Sequence, residues 1–154
     1  PTAVVRMDFL HTDDSMIQGK HDATMASCFP ASYISEPRLR IECYRKISSI
    51  MKTEEIMVYE EELTDRFGPI PDQTRALFYE TEIKCLGKEA GFDSISSKEN
   101  ELYCREIKKS SRDGVKYLKK MGRIPLLNEK LPLLKLKEII RFLKIHIHGI
   151  KDVS

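Results

Sequence analysis

The chain has 154 residues, of which 41% are hydrophobic and 32% are charged, a composition typical of one soluble globular domain spanning residues 1–154. Its apolar runs fall short of the roughly 18 residues that cross a membrane, and its N-terminus lacks the layout of a signal peptide. We therefore expect no membrane partner, and the scattered cysteines described below predict a cytoplasmic location. Because the chain begins at Pro1 rather than Met, we expect it to be a piece of a longer protein.

The charge is unevenly distributed, although the formal net charge is only +2. Residues 105–151 contain 14 Lys or Arg against 4 Asp or Glu, whereas residues 1–104 contain 12 basic and 19 acidic residues. The chain therefore has a basic C-terminal third and an acidic central helix. These two features are the candidates for electrostatic recognition of a partner.

The N-terminal part predicts one strand followed by a long loop. Residues 3–10 (AVVRMDFL) are apolar and β-branched with partial alternation, which is typical of a strand. Residues 11–28 are polar and show no sustained period, so they predict a loop. Residues 29–34 then predict an extended segment that leads into the first helix.

Three helices are predicted in the middle of the chain. The first has Pro37 in its first turn, the second follows Thr53 as its N-cap, and the third runs over residues 71–90. Gly91 is the predicted left-handed cap of the third helix, and Gly87 inside it predicts a close helix crossing. Their apolar faces are, in chain order, Leu39, Cys43, Ile47 and Ile50; Ile56, Tyr59, Leu63 and Phe67; and Ala76, Tyr79, Ile83, Leu86 and Ala90.

A tight corner is predicted between the second and third helices. Gly68 can adopt the positive φ that ends a helix, and Pro69 cannot continue one. Pro71 suits the first turn of the next helix, where Asp72 caps it or favours its positive end.

The C-terminal part returns to a strand pattern. Residues 92–97 and 101–107 predict a hairpin, 110–121 a helix, 130–137 a strand and 138–147 a closing helix. The predicted fold class is therefore α+β. A central helical cluster packs with a small mixed or antiparallel sheet, which is formed by strands before and after it.

The sequence argues against catalysis and against a metal. No phosphate-binding glycine loop and no nucleophile motif occurs. His146 and His148 form an H-x-H pair, but on a helix they lie about 200° apart. Four scattered cysteines without a C-x-x-C pair argue against a disulfide framework or zinc site (Cys28, Cys43, Cys85 and Cys104). Three of them fall on predicted helix or strand faces, where we expect buried thiols. We expect neither enzyme activity nor a cofactor.

The acidic helix carries the sharper candidate for a binding site. Glu62, Asp65 and Arg66 are spaced i, i+3 and i+4 and share one exposed helical face. Two carboxylates beside a guanidinium can pair with arginines and an acid on a partner. The alternative is an ion pair within the helix between Glu62 and Arg66. Charge alone does not separate the two interpretations.

The basic third suggests nucleic-acid contact as an alternative. A stripe that includes Lys116, Lys119 and Lys120 would neutralise phosphates in a salt-dependent way. Tyr117 is the one aromatic residue interleaved with it, which leaves no stacking platform. A solvated basic face is the favoured interpretation.

Two motifs resemble the C-terminal domain of bacterial transcription-repair coupling factors. The run from Glu61 to Pro71 (EELTDRFGPIP) resembles an acidic helix ending in D-R-F-G, followed by a Pro-x-Pro corner. The upstream run from Pro30 to Ile47 resembles the family's Tyr-Ile segment, with one residue fewer between Glu36 and Arg38. Its matching residues are Tyr33, Ile34, Glu36, Arg38, Leu39, Tyr44, Arg45, Lys46 and Ile47. The family pattern lacks residues 11–28, which are therefore a predicted insertion.

The resemblance implies a regulatory interaction domain within a longer DNA translocase. In this family the domain docks on an N-terminal module that resembles the excision-repair helicase subunit, and it masks the surface that recruits the damage-recognition ATPase. The matching contact residues here are Glu62, Asp65 and Arg66. Four further residues form the corner that presents them (Phe67, Gly68, Pro69 and Pro71). The matching Arg38, Tyr44 and Arg45 serve either packing or docking.

The resemblance also implies the context of the parent protein. That protein is an ATP-dependent translocase that contacts DNA, releases stalled RNA polymerase and acts in transcription-coupled nucleotide excision repair. ATP binding therefore belongs to other parts of the parent. Besides the nucleic-acid alternative, a purely structural cap for the translocase remains open.

Overall fold

A computed structural model describes residues 2–12, 24–107, 115–117 and 126–153 of the chain. It has the predicted α+β architecture, with helices in the middle and strands on both sides of them. The elements are β1 (Val4–Met7), β2 (Leu10–His11), β3 (Met25–Ala26), α1 (Pro37–Ser48), α2 (Thr53–Phe67), α3 (Asp72–Glu89), β4 (Ser94–Lys98), β5 (Glu101–Ile107), β6 (Val115–Tyr117) and α4 (Pro132–Val153).

A mixed sheet joins β1, near the N-terminus, to the three strands that follow α3. Its strand order is β1-β4-β5-β6, in which β1 runs parallel to β4 and the other pairs are antiparallel. The predicted hairpin is confirmed as β4 and β5, and its turn holds Glu99 and Asn100 at positive φ. A second, two-stranded parallel sheet pairs β2 with β3.

Helix α3 lies between two hydrophobic clusters. On one side, α3 packs with α4 and the sheet through side chains such as Ile83 and Leu86. On the other side, Phe78 and Cys85 of the same helix pack with α1 and α2. Helical periodicity predicted only the first of these faces, which consists of Ala76, Tyr79, Ile83, Leu86 and Ala90. Burial on two sides makes α3 the central element of the fold.

The contact at Gly87 is a helix-on-sheet packing rather than the predicted helix crossing. A Cβ atom at this position would lie 2.7 Å from Cδ1 of Ile95 in β4 and 3.0 Å from Cβ of Ala3. The absence of a side chain therefore sets how closely α3 approaches the sheet.

The predicted strand 3–10 is divided in two. β1 ends at Met7, and a turn at Asp8 and Phe9 separates it from β2. The Asp8 carboxylate accepts hydrogen bonds from the Ser97 hydroxyl (2.8 Å) and the Glu99 N–H (2.9 Å), which ties this turn to the β4–β5 hairpin. The predicted loop 11–28 includes His11 of β2 and all of β3, and its residues 13–23 lie outside the described residues.

Two predicted elements near the C-terminus were wrong. Residues 115–117 of the predicted helix 110–121 form strand β6, whose Tyr117 pairs with Arg105 of β5. The flanking residues 110–114 and 118–121 lie outside the described residues. Residues 132–137 of the predicted strand 130–137 are instead the beginning of α4, because Pro132 suits the first helical turn. Leu136, Ile139 and Leu143, at helical spacing, are completely buried.

The helix ends agree with most of the predicted signals. Pro37 lies in the first turn of α1, and Gly68 and Gly91 both have positive φ (90° and 88°). Thr53 was wrongly predicted as an N-cap, since α2 begins at this residue and Lys52 precedes it as the cap. The prediction of buried thiols is confirmed, because all four cysteines are buried. Within the described part of the chain, no helix is long and apolar enough to cross a membrane.

Candidate functional site

Helix α2 presents the predicted patch on its exposed side. Its inner side buries Ile56, Tyr59 and Leu63, which pack against α1 and α3. Because Glu62, Asp65 and Arg66 lie off this apolar stripe, at i, i+3 and i+4, all three side chains are exposed. The apolar period of the helix thus determines which charged residues face solvent.

The corner after α2 holds the patch in a defined orientation. Gly68 ends the helix at φ 90° and ψ −170°, a conformation open essentially to glycine alone, and its N–H donates to the Thr64 carbonyl (2.9 Å). Pro69 is exposed, and Pro71 is the residue from which α3 starts. The four predicted corner residues, Phe67, Gly68, Pro69 and Pro71, therefore form one continuous turn.

Tyr33 anchors this corner from the segment before α1. Its hydroxyl donates a hydrogen bond to the carbonyl oxygen of Gly68 at 2.8 Å. The carbonyl oxygen of Leu63 is a second, longer acceptor at 3.3 Å. Its ring meets that of Phe67 edge-on, with the centroids 5.9 Å apart. Burial raises the pKa of the Tyr33 hydroxyl, which therefore remains a neutral donor to these carbonyls.

The charges of α2 divide into paired and unpaired groups. The half-buried Glu60 binds Arg75 of α3 at 2.7 Å, and this hydrogen bond raises the Arg75 pKa. Glu62 and Asp65 make no ion pair within the described residues. The Arg66 guanidinium lies over the Phe67 ring, 4.8 Å from its centroid. The alternative pairing of Glu62 with Arg66 inside the helix is therefore absent from the structure.

The upstream residues that match the family pattern have different surroundings. Tyr44 accepts a hydrogen bond from the Phe29 N–H (2.9 Å) and packs edge-on against the Phe29 ring, which gives it a role in packing. Arg38 is exposed and lies 3.9 Å from Glu42. Arg45 is also exposed and lines a shallow depression beside Ile41.

The remaining candidate residues do not join this patch. His146 stacks between the rings of Phe92 and Phe142, at centroid distances of 5.3 and 6.4 Å, whereas His148 is exposed. Among the described residues, no three His, Cys, Asp or Glu side chains are grouped as a metal site would need. Only the backbone of Lys116 is described, within β6, while Lys119 and Lys120 lie outside the described residues.

An exposed apolar pair on α2 was not predicted from the sequence. Met57 and Val58 are each 68% exposed, on the same side of the helix as Glu62 and Asp65. The signal was available, because neither residue falls on the apolar stripe of Ile56, Tyr59 and Leu63.

Comparisons with known proteins agree with the resemblance in the motifs. Transcription-repair-coupling factors from Mycobacterium bovis and Staphylococcus haemolyticus are similar to this chain, with 29% identity over 76 residues and 32% over 73 residues. These matches cover 49% and 47% of the chain but only 6% of each relative's length.

The fold is also shared with a solved structure. A crystal structure of the C-terminal domain of transcription-repair coupling factor aligns with 93% of this chain and 95% of its own, at a TM-score of 0.57 and 20% identity. The sequence itself matches the TRCF domain family over residues 24–117, which is more than half of its length. The chain therefore belongs to the TRCF domain family.

Proposed function

We propose that this chain is the C-terminal regulatory domain of a transcription-repair coupling factor, in which it acts as a non-catalytic latch. It docks on the N-terminal repair-helicase-like module of the parent protein through Glu62, Asp65 and Arg66. The docked domain masks the binding site for the damage-recognition ATPase of nucleotide excision repair. ATP binding and DNA translocation are functions of other parts of the parent.

The observation that carries this proposal is the unpaired state of the patch. The Glu60 carboxylate, also on α2, pairs with the Arg75 guanidinium at 2.7 Å. The carboxylates of Glu62 and Asp65 make no ion pair within the described residues. Exposed carboxylates beside a guanidinium suit a partner with the complementary arrangement of charges. The Gly68 corner and its Tyr33 anchor reduce the entropy that such a patch loses on docking.

Weak polar contacts are sufficient for a latch within one polypeptide chain. Tethering raises the effective concentration of the domain at its docking site to the millimolar range for a short flexible linker. Exposed ion pairs, each worth about 0.2–1 kcal/mol, then hold the closed state without making it permanent. Engagement of DNA or RNA polymerase by the translocase releases the latch by favouring the open state.

The test compares affinities of the intact parent protein for the damage-recognition ATPase. Asp65→Arg combined with Arg66→Asp preserves the net charge but reverses the patch, and we expect at least a tenfold gain in affinity, about 1.4 kcal/mol. Glu129→Lys combined with Lys130→Glu is the matched control, because it exchanges an adjacent exposed acid and base just before α4 and should leave the affinity unchanged. The melting temperature of each variant establishes that the domain is folded.

Two outcomes contradict the latch. Unchanged affinity in a folded Asp65→Arg/Arg66→Asp variant would make the patch a solvated helix face. If deletion of the domain lowers the stability of the parent without a gain in ATPase binding, the domain is a structural cap.

A further inference from the structure

Six exposed residues form one stripe along the outer side of α2. They are separated by steps of three, one, three, one and three residues, which is the spacing of a single helical face. Its members are Glu54, Met57, Val58, Glu61, Glu62 and Asp65. The stripe reaches from the first turn of α2 to the patch described above.

An apolar pair lies at the centre of this stripe. Met57 and Val58, each 68% exposed, are the most exposed large apolar side chains of the described residues. Single exposed apolar residues are ordinary on a protein surface. Here two are adjacent, with Glu54 one turn before them and Glu61 one turn after them, in the pattern of an apolar centre with a polar rim that interfaces show.

The carboxylates of this rim have no cation partner among the described residues, in contrast to Glu60 and Glu82 of the adjoining groove. The groove, of about 300 Å³, lies between α2, α3 and α4 and is lined partly by Met57. Two of the three acids that line this groove are paired within the chain, since Glu60 binds Arg75 at 2.7 Å and Glu82 binds Lys144 at 3.6 Å, whereas the third, Glu54, belongs to the stripe. The four acidic side chains of the stripe make no ion pair within the described residues. The stripe therefore offers four carboxylates for pairing with cations of a partner.

We propose that the whole outer face of α2 is the docking surface and that its occupant is a basic amphipathic segment. Apolar side chains of that segment cover Met57 and Val58, and Arg or Lys residues on its flanks pair with Glu54, Glu61, Glu62 and Asp65. Recognition of an amphipathic helix by an apolar strip with charged edges is a common binding mode. The inference rests on the proposed function for the location of the segment, which belongs to the N-terminal module of the same polypeptide.

The test removes the apolar pair without changing the charge of the helix. Met57→Gln combined with Val58→Gln introduces two polar residues that a helix accommodates well. We expect the intact parent to bind the damage-recognition ATPase about tenfold more tightly, because the latch loses its apolar contact. Leu131→Gln, at a similarly exposed leucine (60%) just before α4, is the control and should leave the affinity unchanged.

Salt separates the apolar contribution from the ionic one. Between about 50 mM and 500 mM salt, the gain from Met57→Gln/Val58→Gln should persist, because apolar burial is not screened. The gain from Asp65→Arg/Arg66→Asp should shrink, since screening shortens the reach of exposed charges to a few Å.

The combined results separate this inference from the proposed latch. A gain with Asp65→Arg/Arg66→Asp but none with Met57→Gln/Val58→Gln would refute the apolar anchor and leave the latch standing. A gain only with the glutamine pair would support the anchor and refute the charged latch. No gain with either pair, or an equal gain with Leu131→Gln, would refute the anchor. If the intact parent is a dimer and its Met57→Gln/Val58→Gln variant is a monomer, the occupant of the surface is a second copy of the chain. That result would also overturn the proposal.

Discussion

The Tyr33 hydroxyl donates a hydrogen bond to the Gly68 carbonyl oxygen at 2.8 Å, across 35 residues of sequence. This bond joins the two motifs that carry the family resemblance. The Tyr-Ile segment before α1 holds the corner after α2, and that corner orients the exposed Glu62, Asp65 and Arg66. The two motifs therefore belong to one local structure.

We expect Tyr33→Phe to destabilise the domain by about 1 kcal/mol. The substitution keeps the ring against Phe67 but leaves the Gly68 and Leu63 carbonyls without this donor. Chemical denaturation measures the loss. Tyr79→Phe is the control, because the Tyr79 hydroxyl makes no hydrogen bond within the described part of the chain. Equal losses for both variants would show that the Tyr33 hydroxyl has no special role.

Two glycine substitutions should have opposite effects. Gly68→Ala is expected to cost about 1–3 kcal/mol, because φ of 90° with ψ of −170° strains any residue with a Cβ although the space around it is open. Gly149→Ala, in α4 and also in open space, should stabilise the domain by up to about 1 kcal/mol. The melting temperatures test both signs. A stable Gly68→Ala variant would mean that the corner adopts another conformation.

The packing of α3 on the sheet predicts a rescue experiment. Gly87→Ala should destabilise by about 1–3 kcal/mol, since the new methyl group lies 2.7 Å from Cδ1 of Ile95, and this clash outweighs the better helix propensity of Ala. Adding Ile95→Val removes Cδ1 and should restore part of the loss. A double-mutant cycle measures this coupling. Strictly additive effects would argue against the contact.

Glu80 predicts a pH-dependent term in stability. Burial raises the pKa of this carboxyl, although hydrogen bonding from the Ser27 hydroxyl and the nearby Lys84 lower it in part. The folded state then binds the proton more tightly than the unfolded state, whose pKa is about 4.3. The contribution of Glu80 to the free energy of unfolding therefore falls as the pH rises from the unfolded pKa through the raised folded pKa.

Glu80→Gln should accordingly stabilise the domain at pH 7, with a smaller gain near pH 4.5. The amide removes the buried charge and retains an acceptor for Ser27. Urea denaturation of both proteins at the two pH values measures the difference. The exposed Glu61→Gln is the control and should change stability little at either pH. A gain from Glu80→Gln that is the same at both pH values would contradict the assignment.

The sequence by itself determined the elements whose signals are local. The α1–α3 helices, the corner at Gly68 and the β4–β5 hairpin were predictable, because helical periodicity, Pro37 and the conformational freedom of Gly68 act within a few residues. The exposure of Glu62, Asp65 and Arg66 followed from the same periodicity. The motifs in this region also carried the family resemblance.

Only the tertiary structure decided the features that depend on distant partners. Residues 115–117 form a strand because β5 offers them a free edge, and residues 132–137 join α4 because its apolar side packs on α3 and the sheet. The second buried face of α3 exists because α1 and α2 cover Phe78 and Cys85. In each of these cases contacts across the chain outweighed the local pattern.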